Sequence, residues 1–155
     1  MLFYLLCIAL LVAVDQAVKL LAVKSLSKVD TIPLLKNIFH LTYVENTGAS
    51  FGILQGRAGL LAIASIVISV LFIYLLFDQY QKDPSKIAFL ASLSLIIAGG
   101  VGNLIDRAFR GFVIDLFDFR LINFAVFNVA DAMISMGAVV FCICVLFDKE
   151  LLASF

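Results

Sequence analysis

The residues of this chain that could do chemistry are carboxylates and carboxamides set among apolar runs. Asp115 lies in the β-prone stretch GFVIDLF from Gly111 to Phe117, and Asp131 lies in FNVADA from Phe127 to Ala132, three residues after Asn128. Two acids buried close together in an apolar site oppose ionising both, so one tends to hold a proton while its partner is charged. That arrangement suits an aspartic-protease dyad, in which the carboxylate takes a proton from water and the carboxylic acid donates to the carbonyl oxygen under attack. It equally suits a proton or cation relay in a small transporter, which also places acids among helices. The residue types alone favour neither.

Around these acids lie three further polar groupings. Asp15 and Lys19 are spaced i, i+4, so their charges share one helix face and can pair, either shaping a site or locking the helix to its neighbours. Asn103 and Asp106 are spaced i, i+3 and Arg107 follows at once, a set that can form a hydrogen-bonded bracket because a guanidinium offers five donors in a fixed fork. Glu45 to Gly52 reads ENTGASFG, a tight turn whose Asn and two glycines tolerate unusual backbone angles and expose backbone amides. The stretch before it, Ile38 to Val44, alternates apolar and polar residues as a short strand does. His40 is the single histidine, expected as a solvated loop residue, so a metal site or a histidine relay has little to work with and no cofactor or metal is expected.

The elements that must position these groups are membrane spans. Hydrophobic residues make up 64% of the 155 and charged residues only 14%, against about half and a quarter in soluble domains, so an integral membrane protein is expected. Eleven basic and eleven acidic residues cancel, which gives no support for nucleic-acid binding. A spanning helix needs about 20 apolar residues. Ala58 to Phe77 and Ile87 to Ile105 qualify directly. The first run spans only if Asp15 and Lys19 are accepted within it, and the last only if it starts at Asn128, a good N-cap type. The spans are therefore read as about 3–24, 58–77, 87–106 and 128–147 in one domain covering 1–155. The first is not read as a cleaved signal peptide, since no basic residue precedes Lys19. Gly99, Gly100 and Gly102 read as a close helix-packing face. Cys7, Cys142 and Cys144 all fall in apolar spans and imply neither disulfides nor a metal site. Pro33 and Pro84 are expected in connections.

Four alternating spans put the connections at about 25–57 and 107–127 on one membrane face, together with nearly every polar residue named above. Outside the spans that face carries seven Lys and Arg, and the opposite face, with both termini, carries Lys82, Lys86 and Lys149. The positive-inside rule would therefore make the chemical face cytoplasmic.

Taken in order, DQxxK (Asp15 to Lys19), ENTGASFG (Glu45 to Gly52), GGVGNLIDR (Gly99 to Arg107), GFVID (Gly111 to Asp115) and FNVADA (Phe127 to Ala132) resemble bacterial lipoprotein signal peptidase, signal peptidase II, over essentially the whole chain. The resemblance implies an all-α integral membrane protein with four transmembrane helices, a small β-rich extracytoplasmic flap and both termini cytoplasmic in the inner membrane. It implies an aspartic endopeptidase that cuts diacylglyceryl-modified prolipoproteins just before the lipidated Cys, acting as a monomer among membrane lipid. Carried onto this sequence, the dyad would be Asp115 and Asp131. Asp118 competes for the first role, but the Gly-x-Val-x-Asp context fits Asp115. Asp15, Lys19, Asn46, Gly48, Asn103, Asp106, Arg107 and Asn128 match positions that shape the site or bind substrate.

The sidedness implied by the resemblance opposes the basic-residue count, and labelling separates them. A single Cys replacing Thr47, in a background without the native cysteines, is expected to react with an impermeant thiol reagent added outside intact cells; reaction only after the membrane is breached would support the basic-residue count instead.

Overall fold

The computed structural model describes residues 1–49, 53–148 and 151. Four helices form the body: α1 (Leu2–Leu26), α2 (Ala58–Lys82), α3 (Ile87–Arg110) and α4 (Val129–Phe147), each long and apolar enough to cross a membrane. Three short strands make one antiparallel sheet in the order β1 (Thr31–Leu35), β2 (Phe39–Asn46) and β3 (Val113–Phe119). Ser50, Phe51 and Gly52 of the expected turn, and Lys149, lie outside the described residues. The first three helices run past the expected spans: α2 continues five residues beyond Phe77, so the link to α3 is a short turn in which Asp83 accepts from Ser85. Pro33 lies within β1 rather than in a connection. An edge strand tolerates it because one row of its amides has no ladder partner to lose.

Bundle order follows from which helix has two kinds of face. The α2 surface is apolar nearly all round, and Leu60, Ile63, Ile66, Val67, Val70, Leu71 and Tyr74 are exposed where lipid would lie. By contrast α3 is largely buried and packs against all three other helices. Without a hydrophobic drive between helices in lipid, close approach depends on small residues, and α3 carries them. A side chain on Gly99 would overlap the Ala130 carbonyl of α4, one on Gly100 would press on Ser69 of α2, and one on Gly102 would meet the Asp15 carboxylate of α1. The three glycines face three different neighbours, so the expected packing face is a hub. Toward the opposite end Leu76, Phe89, Leu90, Leu93 and Ile97 close the bundle with larger side chains.

At the chemical end Gly111 stops α3 in the left-handed conformation, φ 79°, with its amide returning to the Arg107 carbonyl. Glycine is the residue that adopts this without strain, and it turns the chain back so that β3 can start two residues later. The Ile114 amide then bonds to Asp106, tying β3 to the helix it has just left. The far part of β3 is tied forward, since Phe117 exchanges backbone hydrogen bonds with Phe127 just ahead of α4. Ile114 and Leu116 pack on Ala22 and Leu26 of α1, which seats the sheet on the end of that helix.

Replacing Gly99 by Ala is expected to destabilise the folded protein by about 1–3 kcal/mol, the usual cost of forcing atoms into a packed site. Gly59→Ala, where an added methyl meets nothing within 4 Å, is expected to cost nothing. Thermal unfolding of both variants in detergent checks the contrast.

Candidate active site

A cavity of about 450 Å³ opens between α2, α3, α4 and the sheet, and its lining includes Asp115, Asp131, Asn46, Asn103 and Arg107. Asp115 comes from β3, held there by the register Val44↔Asp115 against β2. Asp131 comes from the first turn of α4, where Asn128 is the N-cap and forms a reciprocal capping box with it: the Asp131 amide donates to Asn128 Oδ1 at 2.9 Å, and the Asn128 amide donates to Asp131 Oδ2 at 3.2 Å. The N-cap expected at Asn128 is therefore also part of the site.

Each oxygen of both acids receives one N–H donor. Asn128 Nδ2 donates to Asp115 Oδ1 at 2.7 Å, and Asn46 Nδ2 to Asp115 Oδ2 at 2.9 Å. Asn103 Nδ2 donates to Asp131 Oδ1 at 2.8 Å, complementing the Asn128 amide on the other oxygen. One donor per oxygen fixes each carboxyl plane and still leaves a lone pair on each oxygen for a proton, a water or a substrate. Burial lifts the Asp115 carboxyl to about 6; the Asn46 and Asn128 hydrogen bonds oppose the rise, while the Asp131 charge adds to it.

Asp118, the sequence competitor, points elsewhere. It stands opposite His40 on β2 while Asp115 stands opposite Val44, with a register irregularity between them, and of the two only Asp115 lines the cavity. Its Oδ2 accepts from Thr42 at 2.7 Å and from Arg120 at 2.8 Å. Burial pushes its carboxyl up, but those two bonds and the Arg120 charge bring it below the ordinary value. His40 is a correction: it is buried on β2 and not in a solvated loop, with Nδ1 3.2 Å from the Thr31 hydroxyl. Thr31 in turn lies 2.9 Å from Thr42, so His40 belongs to the same network as Asp118.

Beneath the cavity lies a cluster in which Asp15, Lys19 and Asp106 have no exposed surface. Lys19 Nζ reaches Asp15 Oδ2 at 2.9 Å, Asn103 Oδ1 at 2.9 Å and Asp106 Oδ2 at 3.1 Å, one acceptor for each of its three N–H bonds. Asp15 Oδ1 accepts the Ala130 amide at 2.9 Å, so a side chain of α1 satisfies one of the orphan amides at the start of α4. The expected bracket of Asn103, Asp106 and Arg107 is not what the structure brings together: Lys19 is the group that joins Asn103 to Asp106. Asp106 pairs with Arg110, one turn on, while Arg107 Nη2 donates to the Gly48 carbonyl at 3.2 Å and so holds the turn after β2. Gln16 also joins the cluster, donating to Asp106 Oδ1, Asp15 Oδ2 and the Gly102 carbonyl. An i, i+4 reading from Asp106 reaches Arg110, and a paired donor beside Asp15 would have flagged Gln16.

Gly48 serves the turn in another way than expected. Its backbone angle is ordinary, and what it provides is room: an added Cβ would sit 2.7 Å from the Ile53 carbonyl. Two of the described turn amides are used internally rather than presented, Gly48 N donating to Asn46 Oδ1 and Ala49 N to the Ile53 carbonyl. Among the described residues no cluster of three or more His, Cys, Asp or Glu is arranged to hold a metal ion.

The family model described as Signal peptidase (SPase) II matches residues 7–147. Lipoprotein signal peptidase of Clostridioides difficile (strain 630) is 44% identical over 149 residues, covering 95% of this chain and 97% of that protein. The protein of the same name from Enterococcus faecalis (strain ATCC 700802 / V583) is 35% identical over 147 residues, covering 95% and 89%. Two solved bacterial membrane enzymes, both determined by the in meso method, superpose with TM-scores of 0.82 and 0.81 at 27% and 28% identity. They cover 96% of this chain, and 90% and 95% of their own chains.

Because the Asn46 donor stabilises the charged form of Asp115, Asn46→Ala is expected to move the Asp115 titration above its midpoint of about 6. The carboxylic C=O infrared band, isolated by subtracting the spectrum of Asp115→Asn, reads that midpoint; an unmoved or lowered value would refute the cause given.

Proposed function

The chain belongs to the signal peptidase II family, and from that premise we propose that Asp115 and Asp131 are the dyad with which it removes signal peptides from prolipoproteins. It is a multi-pass membrane protein and an aspartic peptidase of that family. The observation that supports this dyad is that the two carboxyl groups share one cavity, each with one N–H donor per oxygen and none engaged by a cation at hydrogen-bond distance among the described residues.

In the proposed reaction Asp131 carries the charge. It sits in the first turn of α4, where the dipole of the helix favours an anion. Asp115, on a strand without such a helix end, keeps its proton to about pH 6, and a substrate closing over the cavity removes further water and extends that range. Asp131 takes a proton from a water held between the acids as that water attacks the scissile carbonyl, and Asp115 donates its proton to the carbonyl oxygen. Collapse of the resulting diol sends a proton to the leaving nitrogen and restores the starting dyad. Two buried acids suffice for this sequence, with no nucleophilic side chain.

The finer features follow the same reading. The substrate is a diacylglyceryl-modified prolipoprotein cut just before its lipidated Cys, and the cavity suits it. Asp115 and Asp131 lie at one end of its lining and Ile134, Met136 and Gly100 continue into the helices, apolar surface for a chain anchored in lipid. Asp15, Lys19, Asn103, Asp106 and Asn128 shape the site, and Asn46, Gly48 and Arg107 form its rim. The proposed setting is the bacterial inner membrane, with both termini cytoplasmic, the sheet acting as an extracytoplasmic flap, and a monomer surrounded by membrane lipid. A transmembrane relay would string ionisable groups along the helices, whereas the acids near the cavity gather at one level of the bundle.

With purified protein and a diacylglyceryl prolipoprotein, Asp115→Asn and Asp131→Asn are each expected to lower the cleavage rate by about 10²–10⁴-fold or more, the range for losing a positioned acid or base. Asp118→Asn is expected to stay within about tenfold of wild type, since Asp118 bonds to Thr42 and Arg120 and does not line the cavity. A wild-type rate for either dyad variant would remove the assignment.

A further inference from the structure

Three carboxamides aim their NH₂ groups at the dyad, and for each something must stop the amide from turning over. Asn46 is held by the Gly48 backbone amide, which donates to its Oδ1 at 2.9 Å. Asn128 is held by the Asp131 backbone amide, which donates to its Oδ1 at 2.9 Å. Asn103 lies inside α3, where backbone amides are already committed to the helix ladder and none is available to its side chain. Its Oδ1 accepts instead from Lys19 Nζ at 2.9 Å and from Asn128 Nδ2 at 3.2 Å. Asn128 is itself a rotatable amide, so the one charged donor on Asn103 is Lys19.

We propose that Lys19 is a positioning residue that fixes the Asn103 side-chain amide and, through it, the orientation of both catalytic carboxyls. In the observed orientation the Asn103 carbonyl meets two donors and its NH₂ meets Asp131 Oδ1. Turned over, its NH₂ would face an ammonium and a second NH₂ while its carbonyl faced a carboxylate, three unfavourable contacts in place of three favourable ones. Lys19 has no exposed surface and cannot touch substrate, so its contacts to the dyad run through its partners, of which Asn103 is the one bonded to a dyad carboxyl. One further link carries it to the other acid, because Asn128 spends one N–H on Asn103 and the other on Asp115 at 2.7 Å. A charge paired in a helix bundle thereby does for Asn103 what a backbone amide does for Asn46 and Asn128. Asp15 and Asp106 are then the counter-charges that hold Lys19 aimed at Asn103.

This inference rests on the peptidase reading, and a double-mutant cycle tests it on the full-length protein in detergent with a diacylglyceryl prolipoprotein as substrate. Lys19→Met and Asn103→Ala are each expected to lower kcat by about 10–100-fold, the scale of a misplaced catalytic group, with KM within about twofold. If Lys19 acts through Asn103, adding Lys19→Met to Asn103→Ala is expected to lower kcat no further, within about twofold. Multiplying losses would overturn the inference, as would a wild-type kcat for Lys19→Met. Lys19→Gln, neutral but retaining N–H donors, is measured alongside. Failure of both Lys19 variants to give folded protein by thermal unfolding would assign the residue to structure alone and also overturn it. Asp131→Asn in the same series separates the two levels: its cleaving at the wild-type rate would remove the dyad itself, whereas its inactivity together with multiplying losses removes only the role of Lys19.

Discussion

An ammonium group with no exposed surface must find an acceptor for each of its three N–H bonds, because the effective cost of taking an ion out of water is several kcal/mol. Lys19 meets that condition with Asp15, Asp106 and Asn103, and the position of the other site elements follows from where those three lead. Asp15 continues to the Ala130 amide and fixes the start of α4. Asp106 continues to the Ile114 amide and fixes the start of β3. Asn103 continues to Asp131. The two backbone segments that carry the dyad are thus referred to one buried charge. Arg110 and Gln16 complete the hydrogen bonding of Asp106, leaving two acids balanced by two bases. Removing one member of such a cluster is expected to cost about 3–5 kcal/mol, since the partner charge would stay buried alone.

That balance matters for the two acids above it. Lys19 and Arg110 are matched by Asp15 and Asp106, so the charges of the cluster are balanced within it. Burial is what most raises the Asp115 carboxyl, and the Asn46 and Asn128 hydrogen bonds and the Lys19 charge oppose that rise. Carboxamides are suited to this setting because they orient a carboxylate without neutralising it. A lysine or arginine in place of Asn46, Asn103 or Asn128 would hold both acids ionised, and an ionised pair has no proton to give to a substrate carbonyl.

Most of the helical architecture was legible because its signals are long. Runs of about 20 apolar residues allow little besides membrane helices, and the i, i+4 and i, i+3 spacings of Asp15 with Lys19 and Asn128 with Asp131 are geometric consequences of those helices. The five motifs named the site residues in order, yet their partnerships were only partly legible. Asp106 was grouped with Arg107 because they are neighbours in sequence, although residues at i, i+1 leave a helix in different directions and Arg110 is the one on the same face. His40 reads as a loop residue because one histidine on an alternating strand carries no mark of which face is covered, and that depends on pairing with Asp118 of β3, nearly 80 positions away. The same limit applies to Asp118. That Asp115 and not Asp118 lines the cavity depends on the register of β3 against β2, with its irregularity between the two.

The proposed catalytic groups divide between two supports, and on that reading the division has a consequence for specificity. Asp131, Asn103 and Asn128 belong to helices or their caps, whereas Asp115 and Asn46 belong to the sheet. The sheet is joined to the helices near the site by few contacts: the Asp106 bond to Ile114, the Phe117 and Phe127 backbone pair, the Asn128 bond to Asp115 and the Arg107 bond to Gly48. Several of these are contacts to site residues themselves, so seating the sheet and completing the dyad are the same event. A peptide that displaced the sheet would separate Asp115 from Asn128 and meet only half of the acid–base pair. A chain that leaves the sheet seated meets both acids within the cavity. On the proposed reading, discrimination of this kind needs no separate recognition pocket, because the strand that would cover the substrate is also the one that carries Asp115.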